Sequence, residues 1–169
     1  MKKCYLFLGA LSLLTLGLGS CRSAQATAPT KTAASQHATS HRVVGKTQKI
    51  AVIVNGQTLP AHLNTSSAAQ ALVKRLPMTL TFRDYAGLPE KIADLNRALP
   101  TRGMPRGHAG TKGSIGYWSP DQRLVFYWGR ESYYEGIHII GRFDTPRYRS
   151  VIQHMGNQRV VRIVRAQKE

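Results

Sequence analysis

The chain has 169 residues, 24 Lys and Arg against eight Asp and Glu, a net charge of +16 and 42% apolar residues. That length admits one ordinary domain with appendages, and that apolar content excludes wholesale disorder. Both cysteines, Cys4 and Cys21, stand near the start, so the remainder can hold neither a disulfide framework nor a thiolate metal cage.

In chain order, Met1-Lys2-Lys3 is a positive n-region and Cys4 to Leu18 is an apolar run, the pattern of an export signal over residues 1–20. The run is shorter than the roughly 20 residues that span a bilayer core. Leu18-Gly19-Ser20-Cys21 resembles the bacterial lipoprotein box, which implies lipidation of Cys21 and cleavage before it. The alternative is an ordinary signal cut after Ser20 or near Ala24-Gln25-Ala26, releasing a soluble, secreted protein. Residues 21–48, rich in Ala, Thr and Ser and without an acid, read as a flexible linker. His37 and His41 within it lack the third ligand that a zinc site requires.

From Lys49 the pattern changes to short alternating runs, and residues 49–169 read as one β-rich domain. Ile50, Val52 and Val54 alternate, Asn55-Gly56 signals a hairpin turn, and Leu59, Ala61 and Leu63 alternate on the return. Asn64 to Leu76 reads as a helix, capped by Asn64, Thr65 or Ser66, with Lys74 and Arg75 at its negative end and Pro77 as its stop. Met78, Leu80 and Phe82 make a strand with one buried face. The Gly- and Pro-rich stretch from Asp84 to Lys112 reads as long loops with a short segment around Ile92 to Leu95, and loops of such length are often functional. Strands follow at Ser114 to Trp118, Arg123 to Trp128 and Gly136 to Phe143. A second helix carries Tyr148, Val151, Ile152 and Met155 on one face, with Asp144 or Thr145 as its cap, and Arg159 to Arg165 closes the chain as a strand. The fold class is mainly β, a closed barrel of about seven or eight strands with two short helices, since closure removes exposed edges.

Leu76-Pro77-Met78-Thr79-Leu80-Thr81, Asp84-Tyr85, Gly87, Glu90-Lys91, Leu99-Pro100, Phe126-Tyr127 and Gly141-Arg142 occur in an order that resembles the bacterial cyclophilin-like domain family. The resemblance runs from about Ile50 to Arg165 and implies a cyclophilin-like barrel. It departs at Gly113-Ser114, where the family commonly has Gly-Asp. The family name denotes a fold and implies no activity. Isomerisation of an X-Pro bond needs an apolar slot and an Arg to hydrogen-bond the imide nitrogen as conjugation is lost. The Phe-His-Arg and Gln-x-Phe runs of true cyclophilins do not occur here. Phe82-Arg83 is the nearest approach, and strand alternation sends those two side chains to opposite faces.

Four residues are the candidates for ligand binding. Tyr127 shares a strand face with Arg123 and Val125, so it lines a groove if Phe126 points into the barrel, or else packs beneath a loop or helix. Glu90, beside Lys91 in the long loop with Tyr85, either contacts a ligand or forms a loop-stabilising ion pair with a nearby Arg. Tyr134, with Arg130, Glu131 and Tyr133, stands at an expected loop tip that could form an adaptable lip. His62, His108, His138 and His154 lack metal-ligand spacing, and 102–113 fails the phosphate-loop pattern. No catalytic constellation, metal or cofactor is predicted.

From Lys49 onward 18 Lys and Arg face eight acids, and 13 of the 18 are Arg. Such charge attracts polyanions, or reflects no more than a solvated surface. Export makes nucleic acid an unexpected partner and points to anionic lipids and envelope polymers. The sequence thus predicts a lipid-anchored bacterial envelope protein, facing the periplasm from the outer membrane if the source is Gram-negative. Its barrel is expected to bind a small anionic ligand or a peptide in a side groove. The alternative is a peptidyl-prolyl isomerase acting on exported proteins.

Overall fold

The computed structural model describes residues 46–166. The export signal, Cys21 and most of the linker, with His37 and His41, lie outside the described residues. Within them, β1 (Gln48–Val54) and β2 (Gln57–Leu63) form the opening hairpin, with Asn55 and Gly56 both at positive φ in its turn. Helix α1 (Ser67–Val73) follows, then β3 (Met78–Asp84), β4 (Glu90–Asp94), β5 (Gly107–Ala109), β6 (Ser114–Trp118) and β7 (Arg123–Tyr127). The chain continues through β8 (Tyr133–Glu135), β9 (Ile137–Phe143), α2 (Tyr148–Gln153) and β10 (Arg159–Arg165).

Eight strands close into an antiparallel barrel in the order β1-β10-β3-β4-β7-β6-β9-β2, as the mainly β reading expected. Strands β5 and β8 form a separate two-stranded ribbon. The barrel interior holds alternate residues of each strand: Ile50, Val52 and Val54 from β1, Leu59 to Leu63 from β2, Leu124 and Phe126 from β7, Val161 and Ile163 from β10. Phe82 stacks on Phe126 with ring centroids 4.2 Å apart, and Phe143 meets Phe126 edge-on. Helix α1 contributes Ala68, Ala69 and Leu72, and α2 contributes Ile152, to the same core.

Several expectations need correction. The stretch taken as long loops contains β4, a full barrel strand paired with β3 and β7. Its first four residues are buried on both faces, so it shows no alternation of polar and apolar residues, and two of the four are charged. Helix α1 is shorter than Asn64 to Leu76. Ser66 is the cap, its hydroxyl accepting the Ala69 N–H, while the Asn64 side chain accepts the Ser66 N–H. Arg75 lies beyond the helix and donates to the carbonyls of Arg97 and Ala98. Helix α2 begins after Arg147 without a side-chain cap, and the Asp144 carboxylate, three residues before that position, contacts His62 Nδ1. Tyr133 and Tyr134 belong to β8 and not to a loop tip. Among the described residues no helix is long and apolar enough to cross a membrane.

Candidate functional site

On β7 the alternation that sends Leu124 and Phe126 inward sends Arg123, Val125 and Tyr127 to the outer wall. Register places Glu90, Ile92 and Asp94 of β4 directly beside Tyr127, Val125 and Arg123. Of these, Ile92, Val125 and Tyr127 join Ile137 of β9, with Trp118 and Ile139 at the margin, in a second apolar cluster outside the barrel. A solvent-facing barrel wall would ordinarily be polar. This one is covered in part by the β5–β8 ribbon and by the β3–β4 connection.

Tyr127 is the centre of that arrangement. Its side chain is only 2% exposed, with its ring lodged between Gly116 of β6 and Gly110 at the end of the ribbon. A Cβ at Gly116 would lie 2.7 Å from the ring, and one at Gly110 would overlap it. The Tyr127 carbonyl accepts the Gly113 N–H, and the Gly110 carbonyl accepts the Glu131 N–H, so the segments flanking the ribbon are tied to β7. On the other side Pro89 O accepts the N–H groups of Trp128 and Gly129, which fixes the β3–β4 connection. Ser114, at the expected departure from the family pattern, closes the Thr111 turn with its hydroxyl.

Between these coverings lies a cavity of about 180 Å³. Ile92, Val125, Ile137 and Trp118 form its floor with Tyr127, and Tyr85, Leu88 and Tyr134 form its rim. Three charged side chains complete it: Glu90, Glu131 and Arg123. Thus Tyr85, Glu90, Tyr127 and Tyr134, the four candidates named from sequence, line one cavity. Tyr127 both packs beneath the covering segments and lines the groove, so the two readings of that residue are not exclusive. Arg130 is exposed and absent from the lining, whereas Glu131 is present. The sequence reading missed Trp118, Leu88 and Ile137, which carry no chemical signature beyond hydrophobicity.

The charges are unequal in their partners. Arg123 donates to Asp94, pairs with Asp121 at 2.7 Å, and stands 5.1 Å from the Tyr85 ring centroid. Hydrogen bonds from Arg83, foremost, and from Arg123 hold the Asp94 carboxyl below the usual range. Lys91, pointing to the other side of β4, reaches Asp84 and the Gly156 carbonyl. Glu90 has neither the ion pair expected for it nor a hydrogen bond from any of the described residues, although it is 7% exposed. Its burial, then repulsion from Glu131, push its carboxyl up to about 7, against the attraction of Arg123. Burial and the same two carboxylates push the Tyr127 hydroxyl up as well.

A family model described as the cyclophilin-like family matches residues 52–164. The chain belongs to the cyclophilin-like family. Among solved structures it is similar to the hypothetical protein AF2241 from Archaeoglobus fulgidus, at 15% identity and a TM-score of 0.54 over 70% of this chain and 95% of that one. It is also similar to McbB, described in complex with tryptophan, at 12% identity and a TM-score of 0.51 over 71% of this chain and 45% of McbB. At such identities the likeness is one of fold alone. No curated protein sequence gives a significant match.

A second cavity, about 370 Å³, lies between β9, the loop before β5 and the start of α1, lined by Asn64, Ser66, Met104, Pro105, His108 and His138. His138 is buried there with its Nε2 on the Ser119 hydroxyl, and burial lowers its pKa. Of the four histidines named from sequence, His108 and His138 line this cavity, whereas His62 contacts Asp144 and His154 follows α2. Among the described residues no three His, Cys, Asp or Glu side chains gather as metal ligands would.

The raised Glu90 carboxyl has a consequence for stability. The folded state keeps a proton there that the unfolded chain releases in the ordinary carboxylate range. The contribution of Glu90 to stability is therefore full below that range and is lost as pH rises through about 7. Glu90→Gln removes the ionisation penalty, and should raise stability at pH 8 by about 1–3 kcal/mol while changing little at pH 4. Urea unfolding at the two pH values checks it, and an unaltered pH profile in the variant would contradict the assignment.

Proposed function

We propose that this cyclophilin-like domain is a binding module of an exported, lipid-anchored bacterial envelope protein, taking a side chain or small group of a peptide or small molecule into the outer-wall cavity. The observation that carries the reading is the cavity itself. It is apolar and aromatic, partly covered, and edged by charged groups from β4, β7 and the β7–β8 link, the composition typical of ligand sites. Whole drug-sized ligands occupy roughly 300–1,000 Å³. A cavity of about 180 Å³ suits one amino-acid-sized group. McbB, a neighbour in fold, is described with an amino acid, tryptophan.

Of the two ligand classes expected from sequence, the peptide fits better than the anion. Two of the three charged groups in the cavity are carboxyls, and the third, Arg123, already faces Asp94 and Asp121. The basic surface remains available to anionic envelope polymers as a separate, salt-sensitive attraction. The isomerase reading is weakened by the same pairings. Arg83 is bound to Asp94 and does not line the cavity, and Arg123 lines it but is committed to two carboxylates. The charge of each guanidinium is thus already offset by carboxylates.

The anchor rests on the sequence of residues 1–21. Cys21→Ser should move the protein from the membrane fraction to the soluble fraction, and the wild-type N-terminal peptide should carry the mass of acyl chains. A soluble wild-type protein would contradict lipidation. The exported protein, produced with its own leader, should shift the NMR resonances of Tyr127 and of the segment around Glu90 when titrated with X-Pro peptides, with cis/trans exchange staying at its uncatalysed rate. Accelerated exchange at sub-stoichiometric protein would replace the binding-module reading with the isomerase. Binding lost at moderate salt and indifferent to Tyr127→Ala would leave surface charge in place of the cavity.

A further inference from the structure

We infer that the outer-wall cavity receives a cation on an apolar stem, an alkyl- or arylalkyl-ammonium group, with its charge turned to Glu90 and Glu131 and its stem against Tyr127 and Trp118. The inference rests on the reading of this cavity as a binding site and names the chemistry it selects.

The charge inventory points there first. The described residues hold seven acidic side chains: Asp84, Asp94, Asp121 and Glu135 are each in an ion pair with Lys or Arg, and Asp144 is hydrogen-bonded to His62. The two left without a cation, in a segment rich in arginine, are Glu90 and Glu131, and both line this cavity. Glu90 is attracted by Arg123 across the cavity but makes no pair with it, since Arg123 is turned to Asp94 and Asp121. Most of the walls that the two acids face are apolar and aromatic, and more than nine-tenths of Glu90 is removed from solvent. A carboxyl so largely enclosed, meeting solvent only at the cavity and with no cation in contact, is unfavourable, and a ligand cation placed beside it relieves that penalty.

The walls select in the same direction. Trp118, Tyr127 and Tyr134 line the space with Tyr85, whose ring already faces the Arg123 guanidinium. The negative faces of aromatic rings attract cations and disfavour anions, with Trp the strongest. Arg123 would repel an incoming cation, but its charge is offset by Asp94 and Asp121. The cavity volume accommodates one aryl or short alkyl stem.

Protonation is coupled to such binding. The groups facing Glu90 are Glu131 from the β7–β8 link, Arg123 and Tyr127 from β7, Tyr85 from the β3–β4 connection and Tyr134 from β8. With the Glu90 carboxyl near 7 in the empty cavity, a cation displaces its proton, so affinity rises with pH.

The test uses three probes of one shape against the purified exported protein: 2-phenylethylammonium, neutral 2-phenylethanol and anionic phenylacetate. Calorimetry and NMR shifts at Tyr127, Tyr134 and Glu90 follow binding between pH 6 and 8. The ammonium should bind about tenfold or more tighter than the alcohol, phenylacetate weakest, with affinity rising about tenfold from pH 6 to 8. Glu90→Gln should abolish both the pH dependence and most of the preference over the alcohol. A capped lysine peptide separates the sources: comparable binding marks a peptide-borne ammonium, and binding of the arylalkyl amine alone marks a free amine. Equal or tighter binding of the alcohol or phenylacetate at the same resonances would overturn the cation inference and leave the cavity a binding site. No shift with the ammonium would overturn the inference, and silence with every probe and peptide would overturn the binding-site reading too.

Discussion

The outer wall of this barrel depends on one steric accommodation, the Tyr127 ring held between two residues that have no side chain. Gly116 on β6 lets the ring lie against the sheet, and Gly110 lets the chain beyond β5 close over it. Contact at that distance leaves no room for water between the ring and either glycine. The same residue accepts the Gly113 N–H, which sets the loop leading into β6, and stands beside Glu90 across the β4–β7 ladder. The position of the ribbon, the depth of the cavity and the burial of the Glu90 carboxyl follow from where that ring rests.

Charge works on two scales in this molecule, and they differ in sign. The chain as a whole is strongly basic, and most of its acids are used to pair with Arg, Lys or His at strand ends and turns. Exposed pairs of that kind add little stability individually. Their effect here is to occupy the cations nearest the cavity, Arg123 above all, so that the cavity keeps two carboxyls that no cation pairs with directly among the described residues. Net charge therefore describes what the surface attracts and not what the cavity selects.

Much of the fold was legible because the informative signals are local. The Asn55-Gly56 turn, the alternation in β1, β2 and β3, and the apolar face of α1 each report on a few adjacent residues. Strand β4 was not, since burial on both faces erases alternation and Glu90-Lys91 at its start reads as loop chemistry. The three-residue strands β5 and β8 are too short to show a period, and are held by Gly107 approaching the Tyr134 backbone. At the site, Tyr85, Glu90, Tyr127 and Tyr134 could be picked out by residue type, as aromatics and a rare acid. What joined them, the β4–β7 register and the two glycines, is long-range and invisible to spacing. The aliphatic floor looked like any other core.

The most direct measurement of the central claim is a double-mutant cycle between Gly116 and Tyr127, read as urea-unfolding free energies. Gly116→Ala should destabilise the protein by about 1–3 kcal/mol while Tyr127 is present, and by well under half of that in a Tyr127→Leu background, where the ring is gone. Costs that simply add in the double variant would contradict the claim that this ring and this glycine build the wall together.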